Sequence, residues 1–281
     1  MAKKTKVWLM LAILFIFAGG ILFTGVMMAL DWDFVKLSTT EFEVNEYEVA
    51  EQYENIYIDT ETSDVMIIPS DVRKTTVTCF EQENMKHRVA VVDGTLEIKL
   101  EDTRAFQHHI AINFRKPQIK VYIPRGEYGD LSIEATTGDV EIHNGFSFEN
   151  IDVSLTTGDI RCNAYAKKGI RLKTTTGDIR MEDARAWNAE LRLTTGNVYM
   201  LNVVLSGNVL VYGTTGNVRL DDCDAKDVYI KLTTGSVFCR FLSYKAVDAH
   251  TNTGKMDYLP GVTGDPCTIR TTTGNIIVCY R

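Results

Sequence analysis

Residues 151–181 read IDVSLTTGDIRCNAYAKKGIRLKTTTGDIRM, and within them one pattern is stated twice. Gly158 and Gly177 each follow a Thr-Thr pair, each precede an Asp, and each sit between alternating apolar residues. Working outward, the same Thr-Gly step recurs at Gly138, Gly196, Gly216, Gly235, Gly254 and Gly274, giving intervals of 20, 19, 19, 20, 19, 19 and 20 residues. A period of this length marks a repeat architecture in which each copy is one supersecondary unit.

With each glycine as origin, four columns are apolar. Seven before it stand Leu131, Ile151, Ile170, Ala189, Val209, Val228, Val247 and Cys267; five before, Ile133, Val153, Leu172, Leu191, Val211, Ile230, Ala249 and Ile269. Two after it stand Val140, Ile160, Ile179, Val198, Val218, Val237, Met256 and Ile276; four after, Ile142, Cys162, Met181, Met200, Leu220, Cys239, Tyr258 and Val278. Alternation with polar residues is the period-2 signature of strands with one buried face. Each copy therefore reads as strand, sharp turn, strand and a more variable connection. One copy cannot bury its apolar face alone, but copies stacked at the ~4.8 Å strand spacing do. The predicted fold is all-β, a β-solenoid of 19–20 residues per coil, and eight coils predict a rod of roughly 35–40 Å.

The turn columns follow from backbone chemistry. Gly138, Gly158, Gly177, Gly196, Gly216, Gly235, Gly254 and Gly274 supply a positive φ at little cost. The preceding Thr is expected to bond its neighbour in the next coil. The following column, Asp139, Asp159, Asp178, Asn197, Asn217, Ser236, Lys255 and Asn275, is not a calcium ladder: Asn, Ser and Lys intrude and the period is wrong. Short polar residues there are expected to bond their own backbone in the turn.

Upstream, residues 7–30 are 24 uncharged, mostly apolar positions, preceded by Lys3, Lys4 and Lys6 and followed by Asp31 and Asp33. About 20 such residues cross a bilayer as a helix, and the charges predict a cytoplasmic N-terminus. The stretch exceeds a signal-peptide core, so an uncleaved single-pass anchor is expected, with the rest of the chain extracytoplasmic. The predicted order is a tail (1–6), the transmembrane helix (7–30), a linker (31–48), an irregular β region that starts and caps the solenoid (49–128), and the regular coils (129–281). Within the β region, residues 60–67 look like a degenerate coil with Ser63 in the glycine place. The last coil ends without an obvious cap, so an open edge, end-to-end self-association, or a covering fold of residues 259–266 is expected.

Of the net charge of −7, three lysines precede the span, leaving 27 basic against 37 acidic residues, or −10, beyond it. That balance excludes a general nucleic-acid binder. Cys79, Cys162, Cys223, Cys239, Cys267 and Cys279 do not invite disulfides: Cys162 and Cys239 share a column four coils apart, roughly 19 Å. They read as small core hydrophobes, and an exported domain without disulfides suits a reducing habitat. His87, His108, His109, His143 and His250 have no Cys or carboxylate at zinc-ligand spacing, so neither metal nor cofactor is expected. No nucleophile elbow, phosphate loop or His-Glu-x-x-His is present.

Function is expected on the outward columns. One, three after the glycine, carries Arg161, Arg180, Tyr199, Arg219 and Phe238; another, four before it, carries Lys173, Arg192, Tyr212 and Lys231. Such stripes suit an anionic or sugar-bearing polymer, while solvated strands carry the same residues without any ligand.

The TTGD/TTGN series, with residues 63–71 (SDVMIIPSD), 93–100 (DGTLEIKL) and 119–126 (IKVYIPRG), resembles the bacterial family of provisionally named adhesins with β-strand repeats, a domain of unknown function. The resemblance spans about residues 50–281. It implies a β-solenoid on the outside of a bacterial, Gram-positive cell and transfers no catalytic residues. Three function classes follow: a non-catalytic envelope-binding, adhesin-like or structural module; an envelope-stress sensor or partner of another membrane protein, packing through Ala18, Gly19, Gly20 and Gly25; and a polysaccharide-active enzyme. The third requires clustered carboxylates, whereas Glu134, Glu141 and Asp152 are scattered.

Overall fold

The computed structural model describes residues 3–37, 41–83, 85–102 and 116–281. His108 and His109 lie outside the described residues. The chain divides into two units. The first contains one long helix, α1 (Lys3–Ala29), within which Val7–Ala29 has a mean hydropathy of 2.5. Its 23 apolar residues extend about 34 Å, enough for a hydrocarbon core of about 30 Å. Asp31 and Trp32 take left-handed φ values of 55° and 59°, and the Trp32 amide returns to the Met27 carbonyl at 2.8 Å, which closes the helix end.

The second unit is the solenoid. It begins with β1 (Phe42–Val49), β2 (Asn55–Thr60), β3 (Asp64–Ser70), β4 (Thr75–Gln82), β5 (Met85–Val92), β6 (Thr95–Asp102) and β7 (Gln118–Pro124). β2 and β3 are the layer on which the glycine coils are built: Ile56 pairs with Leu131 and Val65 with Val140, both in parallel. Ser63 thereby falls beneath Gly138. Below that layer β6 and β7 pair in parallel with β2 and β3, and below them β5 and β4 reverse direction. β1 then covers β4 antiparallel. The antiparallel cap is what ends the parallel stack on this side, since it offers no repeat of the coil to a further copy. Eight glycine coils and three layers beneath them extend about 50 Å at the strand spacing.

The coils from Gly138 to Gly216 have three sides. In the Gly196 coil these are Asn188–Thr195, Val198–Leu201 and the short Val204–Leu205. The Thr-Thr-Gly corner joins the first two, with φ of 140–156° at all eight glycines. Asn202 makes the next corner at φ 54°, as Asp183 and Asp222 do in their coils, because Asn and Asp tolerate the left-handed region. The connection expected to be merely variable is thus a third inward-facing side, lined by Ala164, Ala166, Ala184, Ala186, Val203, Leu205, Cys223 and Ala225, all buried.

The four apolar columns form one continuous core, buried at every position except Val247, Ala249, Met256 and Tyr258. Those four belong to a single coil, and the pairing explains them. The Gly235 coil stacks on the Gly274 coil (Val228 with Cys267, Val237 with Ile276), and the Gly274 coil stacks on the Gly254 coil (Ile269 with Ala249). The chain skips a level, forms the Gly254 coil, returns through residues 258–264 and inserts its last coil between the two. The expectation that the Gly274 coil is the open end is therefore corrected. The open layer is the Gly254 coil, and residues 259–264 lead back into the stack rather than serving as a lid.

Lys245 holds this arrangement. Its side chain is fully buried, with Nζ 2.6 Å from Asp224, 2.6 Å from the Ala225 carbonyl and 3.6 Å from Asp265. One ammonium thus ties together segments flanking three successive levels.

The column after the glycine also needs correction. Each side chain accepts a hydrogen bond from the next coil's backbone, not from its own turn. Asp64 accepts from the Asp139 amide, Asp139 from Asp159, Asp159 from Asp178, Asp178 from Asn197, Asn197 from Asn217 and Asn217 from Ser236, at 2.8–2.9 Å. Ser236 then accepts from Asn275, and Asn275 from Lys255. Lys255 closes the ladder, since no coil lies beyond it to need an acceptor. Threonine hydroxyls that bond between coils are those of Thr174, Thr251 and Thr271, three before the glycine, to carbonyls of neighbouring glycines.

Candidate binding surfaces of the solenoid

The parallel register converts the sequence columns into ladders. Arg161, Arg180, Tyr199, Arg219 and Phe238 pair successively, and so do Lys173, Arg192, Tyr212 and Lys231. Phe238 and Tyr212 are half-buried and the other seven are exposed. At 4.8 Å spacing a cation lies directly over the ring one level away. Arg180 lies 5.2 Å from the Tyr199 ring centre, Arg219 4.6 Å from Phe238 and Arg192 4.3 Å from Tyr212. The Lys173 ladder lines a shallow groove of about 310 Å³.

The charge of these ladders is smaller than the columns alone imply. Arg180 pairs with Asp178 at 3.0 Å, Arg219 with Asp221 and Arg192 with Glu190. Each acid stands two residues from its arginine along the chain, Asp178 in the turn and Glu190 and Asp221 on the arginine's own strand. The Arg192 guanidinium, and then Arg171, hold the Glu190 carboxyl below the ordinary carboxylate range. Among the described residues, Arg161, Lys173 and Lys231 have no acidic partner, so they are the cations left for an external anion.

A second and larger groove, about 610 Å³, lies along the same strand face. Trp187 lines it beside Asp152, Arg171, Asn188 and Glu190. No column marks this tryptophan, because the corner position it occupies carries Glu149, Lys168 and Gly207 in neighbouring coils.

In the cap, alternation along β4 and the β4–β5 hairpin bring Cys79, Glu81 and His87 together, with potential ligand atoms within 4.8 Å of one another. Linear spacing around the histidines does not reveal this. The cluster is closed on itself: His87 Nδ1 lies 2.6 Å from Glu81, Nε2 lies 2.9 Å from the Thr60 hydroxyl, and the other Glu81 oxygen accepts from Asn45. Burial pushes the Cys79 thiol up to about 12, so it stays protonated. The chemistry of the trio is that of a satisfied buried network joining cap to coil. The six cysteines are free thiols, five of them buried.

Fold and surfaces together define a parallel β-solenoid whose outer faces carry ladders and grooves. The chain belongs to the family described as Toastrack DUF4097, which it matches over residues 53–212, more than half its length. No curated protein matches it. Among solved structures, it is similar to a protein from Bacteroides fragilis provisionally named an adhesin, at 18% identity and TM-score 0.54, covering 85% of this chain and 97% of that one. A provisionally named adhesin from Parabacteroides distasonis is 13% identical, with TM-score 0.42 and coverage of 86% and 97%. A provisionally named lipid-binding protein from the same species is 14% identical, with TM-score 0.34 and coverage of 85% and 97%. At these identities the first likeness speaks for the fold alone.

Proposed function

We propose that this protein is a membrane-anchored, extracytoplasmic, non-catalytic binding module of the cell envelope, adhesin-like in its action, that holds an envelope polymer on its ladders. The observation that carries the reading is the register. Nine cationic and aromatic side chains, scattered through 78 residues of sequence (161–238), stand at one repeating distance along a rigid rod. A regular array matches a ligand that is itself a repeat, and many weak contacts along it sum to useful avidity. Arg161, Lys173 and Lys231 meet anionic groups, and the ring-stacked arginines are held in place for contact.

The anchor reading rests on the apolar span of α1 (Val7–Ala29), on the lysines before that span and the acids after it. We propose no catalysis: the register sets none of Glu134, Glu141 and Asp152 directly opposite another of the three. Retention of the full chain on isolated bacterial cell walls tests the proposal. Wild type is retained, and R180A/R192A/R219A is retained less; equal retention of both refutes the role of the ladders.

A further inference from the structure

The Trp187 groove owes its existence to missing side chains. Along its floor, Asn150, Gly169, Asn188 and Asn208 stand one above another. A Cβ at Gly169 meets nothing nearer than Asn150 Oδ1 at 3.8 Å and the Asn188 carbonyl at 3.9 Å, both ordinary contacts. Packing therefore leaves room for a side chain at 169, and the glycine there opens the surface without serving the backbone. Gly207 does the reverse: a Cβ on it falls 2.9 Å from Trp187 Nε1 and 2.4 Å from Asn188 Oδ1, so the indole lies beside bare backbone of the next coil.

Trp187 is 57% exposed and makes no ring–ring or cation–ring contact among the described residues. Beside it runs a fixed polar network: Arg171 donates to Asp152 at 2.8 Å and lies 3.5 Å from Glu190, which also binds Arg192. Lys167 and Lys168 are paired with Glu149. Charges therefore nearly cancel, and the groove gives no field that favours a polyanion. Its volume lies within the usual range for ligand sites, and four coils line it over about 14 Å.

A flat, exposed indole next to carboxylate, guanidinium and amide groups fits a pyranose. The C–H face of the sugar stacks on the ring, and equatorial hydroxyls both donate to carboxylates and accept from the guanidinium. We infer that this groove binds an uncharged oligosaccharide, with a sugar stacked on Trp187 and its hydroxyls held by Asp152, Arg171 and Glu190. The inference rests on reading the chain as a binding module but not on the cationic ladders.

Two substitutions test it. Trp187→Ala removes the platform; Gly169→Asn restores the asparagine of the neighbouring coils and fills the floor. The full chain in detergent is titrated calorimetrically with soluble cello- and chito-oligosaccharides, and circular dichroism melts check the fold. Wild type binds at least one series, and both variants bind about tenfold or more weakly with unchanged melting, whereas the ladder variant R161A/K173A/K231A, whose residues neither line the groove nor pair with its acids, binds as wild type does. The inference is overturned if wild type binds neither series, if both variants bind like wild type, or if only the ladder variant loses sugar. Loss of wall retention in the ladder variant with sugar binding intact overturns neither reading. Wall retention without sugar binding overturns this one alone.

Discussion

Replacing Gly196 by Ala isolates the force that sets the coil. At Gly196 φ is 142°, a conformation essentially reserved for glycine, and a Cβ there falls 1.9 Å from the Gly177 carbonyl oxygen and 2.6 Å from its carbon. Real Cβ contacts essentially never come under 3.0 Å, so the two corners must part by at least 1.1 Å (3.0 less 1.9). That is nearly a quarter of the ~4.8 Å rung. Two corner hydrogen bonds lie in the path, Gly177 amide to Thr195 carbonyl at 2.9 Å and Gly196 amide to Thr215 carbonyl at 3.0 Å. Backbone strain of about 1–3 kcal/mol and about 1 kcal/mol per weakened bond give a destabilisation of about 3–5 kcal/mol. Gly94 supplies the control: its φ of 74° is the ordinary left-handed region and nothing lies within 4 Å of its Cβ position. Gly94→Ala should cost only about 1 kcal/mol. Equilibrium urea unfolding of the full chain in detergent, followed by the β-sheet circular dichroism signal, measures both. A Gly196→Ala loss no larger than that of Gly94→Ala refutes the reasoning.

Other substitutions probe the ladder and the rearranged end. Asp178→Ala removes the acceptor of the Asn197 amide and should cost about 1–2 kcal/mol, whereas Lys255→Ala, where the ladder ends, should be neutral in the same assay. Lys245→Met leaves Asp224 without its buried ammonium and should cost about 3 kcal/mol, with raised hydrogen exchange confined to the last three levels. Burial pushes the thiols of Cys267 and Cys79 up to about 12, and those of Cys162 and Cys223 up to about 11, from an ordinary 9.0. Folding thus favours the protonated thiol, and this stability is complete below pH 9.0 and declines as pH rises toward the folded-state values, by up to about 1.4 kcal/mol per thiol per pH unit. Denaturation midpoints should fall from pH 9 upward, and less steeply for Cys162→Ala.

Much of the solenoid is visible in the one-dimensional pattern because its strongest constraints repeat. Only glycine fits the first corner, and the inward columns must be apolar in every coil that has neighbours on both sides. What escaped the pattern is non-repeating. The antiparallel cap of β4 and β5 alternates like any strand, so its direction leaves no trace in composition. Insertion of the last coil preserves the register of every glycine, and only the weak columns of the Gly254 coil betray it: Ala249 and Lys255 stand where a covered coil would carry a larger apolar residue or an acceptor. The third side is hidden by its small residues, such as Ala164 and Ala166.

The candidate surfaces divide in the same way. Arg180, Tyr199 and their companions follow from counting outward positions, yet Asp178, Glu190 and Asp221, two residues off the column, neutralise part of the charge. The Trp187 groove arises from what positions 169 and 207 lack, and an absence in two coils is not a periodic signal. Cys79, Glu81 and His87 meet through a hairpin, which spacing along the chain does not encode.

The reading of the ladders is tested most directly by binding of the full chain to isolated cell walls, measured across a series of salt concentrations for wild type and for R161A/K173A/K231A. Those three cations have no acidic partner among the described residues, so wild-type affinity should fall steadily with salt, and the variant should bind more weakly with a shallower dependence. Wild-type binding that ignores salt, or a variant that follows the wild-type curve, contradicts the account.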